Sequence, residues 1–204
     1  MSAIDRQPDH IAAIVMAAGR GSRMQGFSGN KTLLPLEPEG SPFEGRQPIL
    51  LHLLANLPPG PKALVVHHCR EAVIAATRHL GVTYCEQPEL NGTGGAILAA
   101  QSFIEALPCE RLIITMGDVP FVRPATYADL VSRLEANDLV VLGFAPADKK
   151  QYGLLEIEDG RVRRIDERPY PAGVYEQSQG PVGRREQVRA RLADRDLDAR
   201  LLRH

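Results

Sequence analysis

The strongest constraint on this chain's fold is an alternation. Four short, uninterrupted apolar runs, Ile11–Met16, Ala63–Val66, Leu112–Thr115 and Leu139–Leu142, are separated by stretches whose apolar residues recur at helical spacing. Runs this short, continuous and rich in β-branched residues suit strands buried on both faces. Leu50, Leu53, Leu54 and Leu57 form one helical stripe, Ile97, Ala100, Ile104 and Leu107 a second, and Tyr127, Leu130, Val131 and Leu134 a third. Strand, helix and strand in repeated order predict an α/β fold of three layers, a mostly parallel sheet with helices on both faces. Ligands of such sheets bind beyond the carboxyl ends of the strands, so the loops after the apolar runs are where chemistry is expected.

The later chain changes character. Glu158-Asp159-Gly160 separates two short extended runs, Tyr152–Ile157 and Arg161–Asp166, which is a hairpin signal and makes the expected sheet content mixed. Pro35–Pro48 holds four Pro and two Gly and reads as an exposed loop. From Arg168 onward there are eight Arg, no Lys, no Asn and five acidic residues, without a strand pattern. The expected organisation is therefore a main domain over 1–167 and an atypical Arg-rich tail over 168–204, which reads as a truncated or frame-shifted remnant.

Bulk properties narrow the function. The 204 residues give enough chain for one domain with a proper core. The 24 basic and 25 acidic residues leave a formal charge of -1, so no global positive field recruits nucleic acid or an anionic membrane, and neither is expected as a partner. The longest apolar run, Ile11–Ala18, is far short of the roughly 20 residues of a membrane span, and the N-terminus lacks the order of a signal peptide; the expectation is a cytoplasmic protein. Cys69, Cys85 and Cys109 are odd in number and form no CxxC, so they read as small buried hydrophobes. His67, His68 and Cys69 resemble a metal cluster, but neighbours on a strand face opposite ways, and a structural role is expected.

Three loops carry candidate chemistry. Ala17-Ala18-Gly19-Arg20-Gly21-Ser22-Arg23-Met24 follows the first strand, and its small residues let backbone N–H groups approach an anion. It is neither a dinucleotide fingerprint, which needs Gly where Met24 stands, nor a P-loop. Arg23 and Lys31 are cations able to neutralise a triphosphate and the charge on a leaving pyrophosphate. The second loop joins Gln87 to Asn91-Gly92-Thr93-Gly94-Gly95, with Thr93 expected to cap the helix containing Ile97. The third, Gly117-Asp118-Val119-Pro120, sets Asp118 at a strand's carboxyl end, where it suits Mg2+ beside phosphates. Each loop taken singly is also compatible with an ordinary turn.

Taken in order, these motifs resemble those of the sugar-1-phosphate nucleotidyltransferases, above all the type that uridylylates N-acetylglucosamine-1-phosphate. The likeness rests on Met16–Met24 with Lys31, on Gln87–Gly94, on Gly117–Pro120, and on Tyr152-Gly153 with Ile165-Asp166-Glu167, and runs from about Ile11 to Glu167. It implies a Rossmann-like fold of the nucleotide-diphospho-sugar transferase type. It also implies that Ala17, Ala18, Gly19, Gly21 and Gly117 contact the nucleotide, that Arg23 and Lys31 act on the phosphates, and that Gln87, Gly92 and Thr93 read a pyrimidine. Asp118 would bind Mg2+, and Gly153 and Glu167 the sugar. The implied substrates are a nucleoside triphosphate, UTP favoured, and a sugar-1-phosphate, with in-line release of pyrophosphate and no covalent enzyme intermediate. Such chemistry asks for positioning and charge neutralisation, which suits a chain with no Ser-His-Asp arrangement or GxSxG elbow.

The likeness breaks after Glu167. The family continues through an Asn-Thr-Gly segment and a later Asn that shares the metal, whereas Asn occurs here at 30, 56, 91 and 137 only. Within these 204 residues no stretch reads as an acetyltransferase domain of hexapeptide repeats. Met116 stands where the family has Tyr, and Asn91 where it has an apolar residue. Two alternatives therefore stand beside the sugar nucleotidyltransferase: a nucleotide-binding protein without turnover, and a nucleotidyltransferase with a non-sugar acceptor.

Overall fold

The computed structural model describes residues 11–21, 26–107, 110–145 and 153–166. They fall into two compact units, one up to Asp138 and one from Leu139 onward.

The first unit is built on a four-stranded parallel sheet in the order β5-β4-β1-β6, where β1 is Ile11–Met16, β4 Lys62–Val66, β5 Thr83–Glu86 and β6 Arg111–Met116. Three of the four expected strands are present, joined by β5, which no long apolar run announces. The period-two alternation of the strands sorts their side chains into two cores. Ala13, Val15, Leu64 and Val66 pack against α1 (Ile49–Asn56), α2 (Arg70–Thr77) and α5 (Pro124–Arg133) through Leu50, Leu53, Leu54, Val73 and Tyr127. Ala12, Ile14, Ala63, Val65 and Cys85 pack on the other face against α3 (Thr93–Ala99) and α4 (Gln101–Ala106) through Ala96 and Phe103. The result is the expected three-layer sandwich, with β1 and β4 buried on both sides.

Several expectations are corrected. The stripe from Ile97 to Leu107 is two helices, because the Ala100 N–H bonds back to Ile97 O, tightening the turn where α3 ends. Pro35–Pro48 is a β-hairpin rather than a loop. In it β2 (Pro35–Glu39) and β3 (Ser41–Pro48) pair antiparallel around Gly40 at φ 72°, with a register shift at Pro38/Glu39. A two-stranded ribbon tolerates its prolines because each strand is an edge. Its Gly45, at φ 150°, cannot be replaced, since a Cβ there would lie 2.1 Å from Glu37 O. β4 ends at Val66, so His67, His68 and Cys69 lie in the turn entering α2 and not on a strand. Burial pushes the Cys85 thiol up, as expected of a core side chain, whereas Cys69 is only half-buried. Cys109 lies outside the described residues.

In the second unit β7 (Leu154–Glu158) and β8 (Arg161–Asp166) pair antiparallel. Asp159 at φ 52° and Gly160 at φ 73° form the tight turn that Asp-Gly predicts. Leu139–Leu142 is not the expected buried strand: Leu139 is 77% exposed and Leu142 50%. Apolar composition makes a run strand-like, but only pairing and burial make it a strand. No helix among the described residues is long and apolar enough to cross a membrane.

Candidate active site

The carboxyl ends of β1, β4 and β6 meet around a short 3-10 turn, Lys31–Leu33. The loop leaving β1 is tied down on one side by the Ala17 N–H bonding to Val65 O at 2.9 Å, and on the other by the His68 N–H bonding to Ala18 O at 3.3 Å. The chain then curls over the Lys31 side chain. A Cβ on Gly21, whose φ of 63° favours glycine, would meet Lys31 Cβ at 3.4 Å, and one on Gly19 would meet Lys31 Cε at 3.9 Å. The predicted glycines and the predicted lysine are thus one packed element. Ser22–Gln25 are outside the described residues, so Arg23 is not placed.

Lys31 Nζ donates to Asp118 Oδ2 at 2.5 Å, across 87 positions of sequence. The pair is about one-third exposed, at 30% and 33% for the two side chains. Packing of its sequence neighbours brings it together. The Gly117 N–H bonds to Met16 O at 2.9 Å, and a Cβ on Gly117 would sit 2.9 Å from the Thr32 methyl and 3.0 Å from Met16 O. Glycine at 117 therefore lets the loop after β6 lie flush on the turn that carries Lys31. Gly117→Ala should lower the melting temperature, at a cost of about 1–3 kcal/mol, as overpacking does. In the nucleotidyltransferase that the motifs imply, the same variant should slow turnover by about 10- to 100-fold, because the lysine and the aspartate are pushed apart. Thermal melting and turnover measured on one sample check it, and an unchanged variant in both would show that the contact gives way freely.

One buried side chain organises this turn and escaped the sequence reading. Asn30 is 1% exposed and precedes the 3-10 turn as its cap. Its only sequence signal is an amide residue immediately before the basic one, which is weak.

The second predicted cluster lies at the ends of β4 and β5. Gln87 is 3% exposed, with its N–H bonded to Val66 O at 3.0 Å, and His67 Nδ1 donates to its carbonyl at 2.7 Å. Gln87 Nε2 donates to Gly92 O at 3.1 Å and to Asn91 Oδ1 at 3.0 Å. The carbonyl of Gly92 fixes which end of the Gln87 amide is the donor, so the end left for a ligand is the Oε1 acceptor. Asn91 completes this arrangement and was also missed as a site residue. Its side chain lies where a side chain at 95 would be, since a Cβ on Gly95 would come within 1.6 Å of Asn91 Oδ1. Thr93 is not the cap of α3, as Gly92, at φ 97°, occupies that position and Thr93 is the first helical residue. A left-handed cap favours glycine and leaves the threonine hydroxyl out of the capping role.

The structure thus brings together Gly19, Gly21, Lys31, Gly117 and Asp118, and sets Gln87, Gly92 and Thr93 at the neighbouring strand end. The His67-His68 turn bonds to Gln87 on one side and to Ala18 and Asn30 on the other. Gly153 is exposed and belongs to the second unit, and Glu167 lies outside the described residues. No cluster of three or more His, Cys, Asp or Glu side chains suited to a metal occurs among the described residues. A lone Asp118 carboxylate still fits Mg2+, which keeps most of its waters and is usually held by one or two carboxylates together with substrate phosphates.

Residues 13–200 match the family model of the MobA-like NTP transferase domain. The chain belongs to that family. Its nucleotidyltransferase domain is 37% identical over 163 residues to the bifunctional protein GlmU of Novosphingobium aromaticivorans, covering 77% of this chain and 34% of that protein. It is 39% identical over 166 residues to GlmU of Sphingopyxis alaskensis, with the same two coverages. The chain therefore spans about a third of the length of the curated relatives it matches. Among solved structures, a mannose-1-phosphate geranyltransferase from Thermus thermophilus superposes with a TM-score of 0.61 at 29% identity, over 81% of this chain and 52% of that one. A putative glucose-1-phosphate thymidylyltransferase from Bacillus anthracis gives 0.58 at 20% identity, over 78% and 65%, a likeness of fold alone. The fold is that of the nucleotide-diphospho-sugar transferases, as the motifs implied.

Proposed function

We propose that this domain transfers a nucleotidyl group from a nucleoside triphosphate, preferably UTP, to a sugar-1-phosphate of the N-acetylglucosamine type, in a Mg2+-dependent reaction. The observation that carries this reading is the Lys31–Asp118 pair, held beneath a glycine loop at the carboxyl ends of β1 and β6. The sugar phosphate is already an oxyanion near neutrality, its second pKa being about 6, so no general base is needed. Its oxygen attacks the α-phosphorus, the bond from that phosphorus to the bridging oxygen breaks, and pyrophosphate leaves with the electron pair.

This chain's residues supply position and charge. The backbone around Ala17, Ala18, Gly19 and Gly21 would follow the triphosphate, with Gly117 beside it. Lys31, with Arg23, would neutralise the charge that grows on the departing pyrophosphate. Asp118 would hold Mg2+, whose contribution when bound is to draw charge off the phosphate oxygens. Gln87, through its Oε1 acceptor, would receive the imino N–H of uracil, with Gly92 and Thr93 along the base edge. Gly153 and Glu167 would hold the sugar within the domain we assign to 1–167.

Pyrophosphate release tests the reading, with Mg2+ and each of the four common nucleoside triphosphates against N-acetylglucosamine-1-phosphate and glucose-1-phosphate. Release with UTP and one sugar is the expected result. A second reading, binding without turnover, is favoured by the departure of residues 168–204 from the family's Asn-Thr-Gly pattern. It predicts nucleotide binding and no release. Release only when a non-sugar phosphate acceptor is supplied would redirect the assignment of the acceptor while keeping the reaction.

A further inference from the structure

We propose that Asn30 is a positioning residue that acts through Lys31. This rests on the assignment of Lys31 to the nucleotide phosphates above. The observation is a buried amide with every one of its hydrogen-bonding positions occupied. Nδ2 donates to Ala17 O at 2.8 Å and to His68 O at 2.9 Å, while Oδ1 accepts from Thr32 N at 3.0 Å and from Thr32 Oγ1 at 2.8 Å. Two donors and two acceptor positions are all that an asparagine side chain has.

The four partners explain why the residue is asparagine. The two carbonyls belong to the ends of different strands, Ala17 following β1 and His68 following β4, and both need a donor. The two Thr32 groups need an acceptor on the same planar head. Aspartate would oppose the carbonyls, serine is too short to span them, and an apolar residue would leave buried polar atoms without partners, which is costly at a position as buried as this one. The side chain therefore pins the residues on both sides of Lys31 to the two central strands. Thr32 in turn packs its methyl at the position that only glycine at 117 leaves open, which fixes the residue before Asp118. Lys31 has a long and flexible stem, and its ammonium is placed beside Asp118 because its backbone cannot shift. A polar network of this kind rigidifies a site when complete and loses that property when one member goes.

The test is a double-substitution cycle with two readouts, pyrophosphate release and equilibrium binding of Mg2+ with the triphosphate that the protein prefers, with the parent nucleoside as control. Asn30→Ser should lower turnover by about 10- to 100-fold, the scale expected when a catalytic group is misplaced by about an ångström. It should weaken the triphosphate but not the nucleoside. In a Lys31→Met background the same substitution should cost less than about threefold, because its effect runs through the missing lysine. Equal losses with and without Lys31 would reduce Asn30 to a structural residue and overturn the proposal.

Should Asn30→Ser fail to fold, Thr32→Val keeps the shape and the methyl against Gly117 while removing one bond to Oδ1. Its loss should be smaller, about three- to tenfold, and again dependent on Lys31. If Lys31→Met alone leaves both turnover and triphosphate binding unchanged, the phosphate role of Lys31 fails, and the proposal fails with it. If Lys31→Met is impaired while the cycle is additive, only the present proposal fails. A protein that does not turn over is still tested by the binding arm, and one that binds no triphosphate overturns both.

Discussion

Asp118→Asn should reduce pyrophosphate release by about a thousandfold or more, equivalent to roughly 4 kcal/mol of transition-state stabilisation, while the protein stays folded. The substitution preserves the shape of the side chain and leaves an oxygen able to accept from Lys31. What it removes is the negative charge, and Mg2+ shared with phosphates depends on that charge because it takes few ligands from the protein. The partial exposure of the pair makes the fold insensitive to the change. Ion pairs in such settings contribute about 0–1 kcal/mol, so the melting temperature should move by no more than about 4 °C. A titration of Mg2+ against turnover, run beside a thermal melt, checks both statements. Full turnover of the variant at the wild-type Mg2+ concentration would remove Asp118 from the proposed metal site.

Lys31→Met should lower kcat/KM by about 100- to 1,000-fold, the cost of losing one preorganised charge aimed at the phosphates. Methionine preserves most of the stem that Gly19 and Gly21 enclose, so the loop keeps its packing and loses only the ammonium. The loss should fall mainly on kcat if the lysine acts on the departing pyrophosphate, and mainly on KM if it holds the ground-state triphosphate. Steady-state kinetics with the triphosphate varied separates the two. A variant with both parameters unchanged would show that Lys31 serves only to pair with Asp118.

Much of the fold was legible in the sequence, because burial on both faces leaves a pattern. β1, β4 and β6 are continuous apolar runs, α1 is a leucine stripe, and Asp159-Gly160 is a turn whose geometry few other pairs adopt. The expectation for Leu139–Leu142 failed for a related reason: composition records that a segment is able to be a strand, and pairing decides whether it is one. Pro35–Pro48 failed in the opposite sense, its prolines and glycines signalling a loop where a two-stranded ribbon tolerates them.

The site divides along the same line. The sequence by itself determined the residue types and their order: a glycine loop after the first strand, a lysine, a Gln–Gly–Thr segment and a Gly–Asp after a buried strand. Those are local patterns, and strand order carries them to one edge of the sheet. Only the tertiary structure decided that Lys31 meets Asp118, that Thr32 rests on Gly117, that the Gln87 amide is held by Asn91 and Gly92, and that Thr93 does not cap its helix. Asn30 is the clearest case. A single amide among ordinary turn residues acquires its meaning when two strand ends, distant in sequence, each present a carbonyl to it, and hydrogen bonds of that kind are set by where the backbone goes and not by which residues are nearby in the chain.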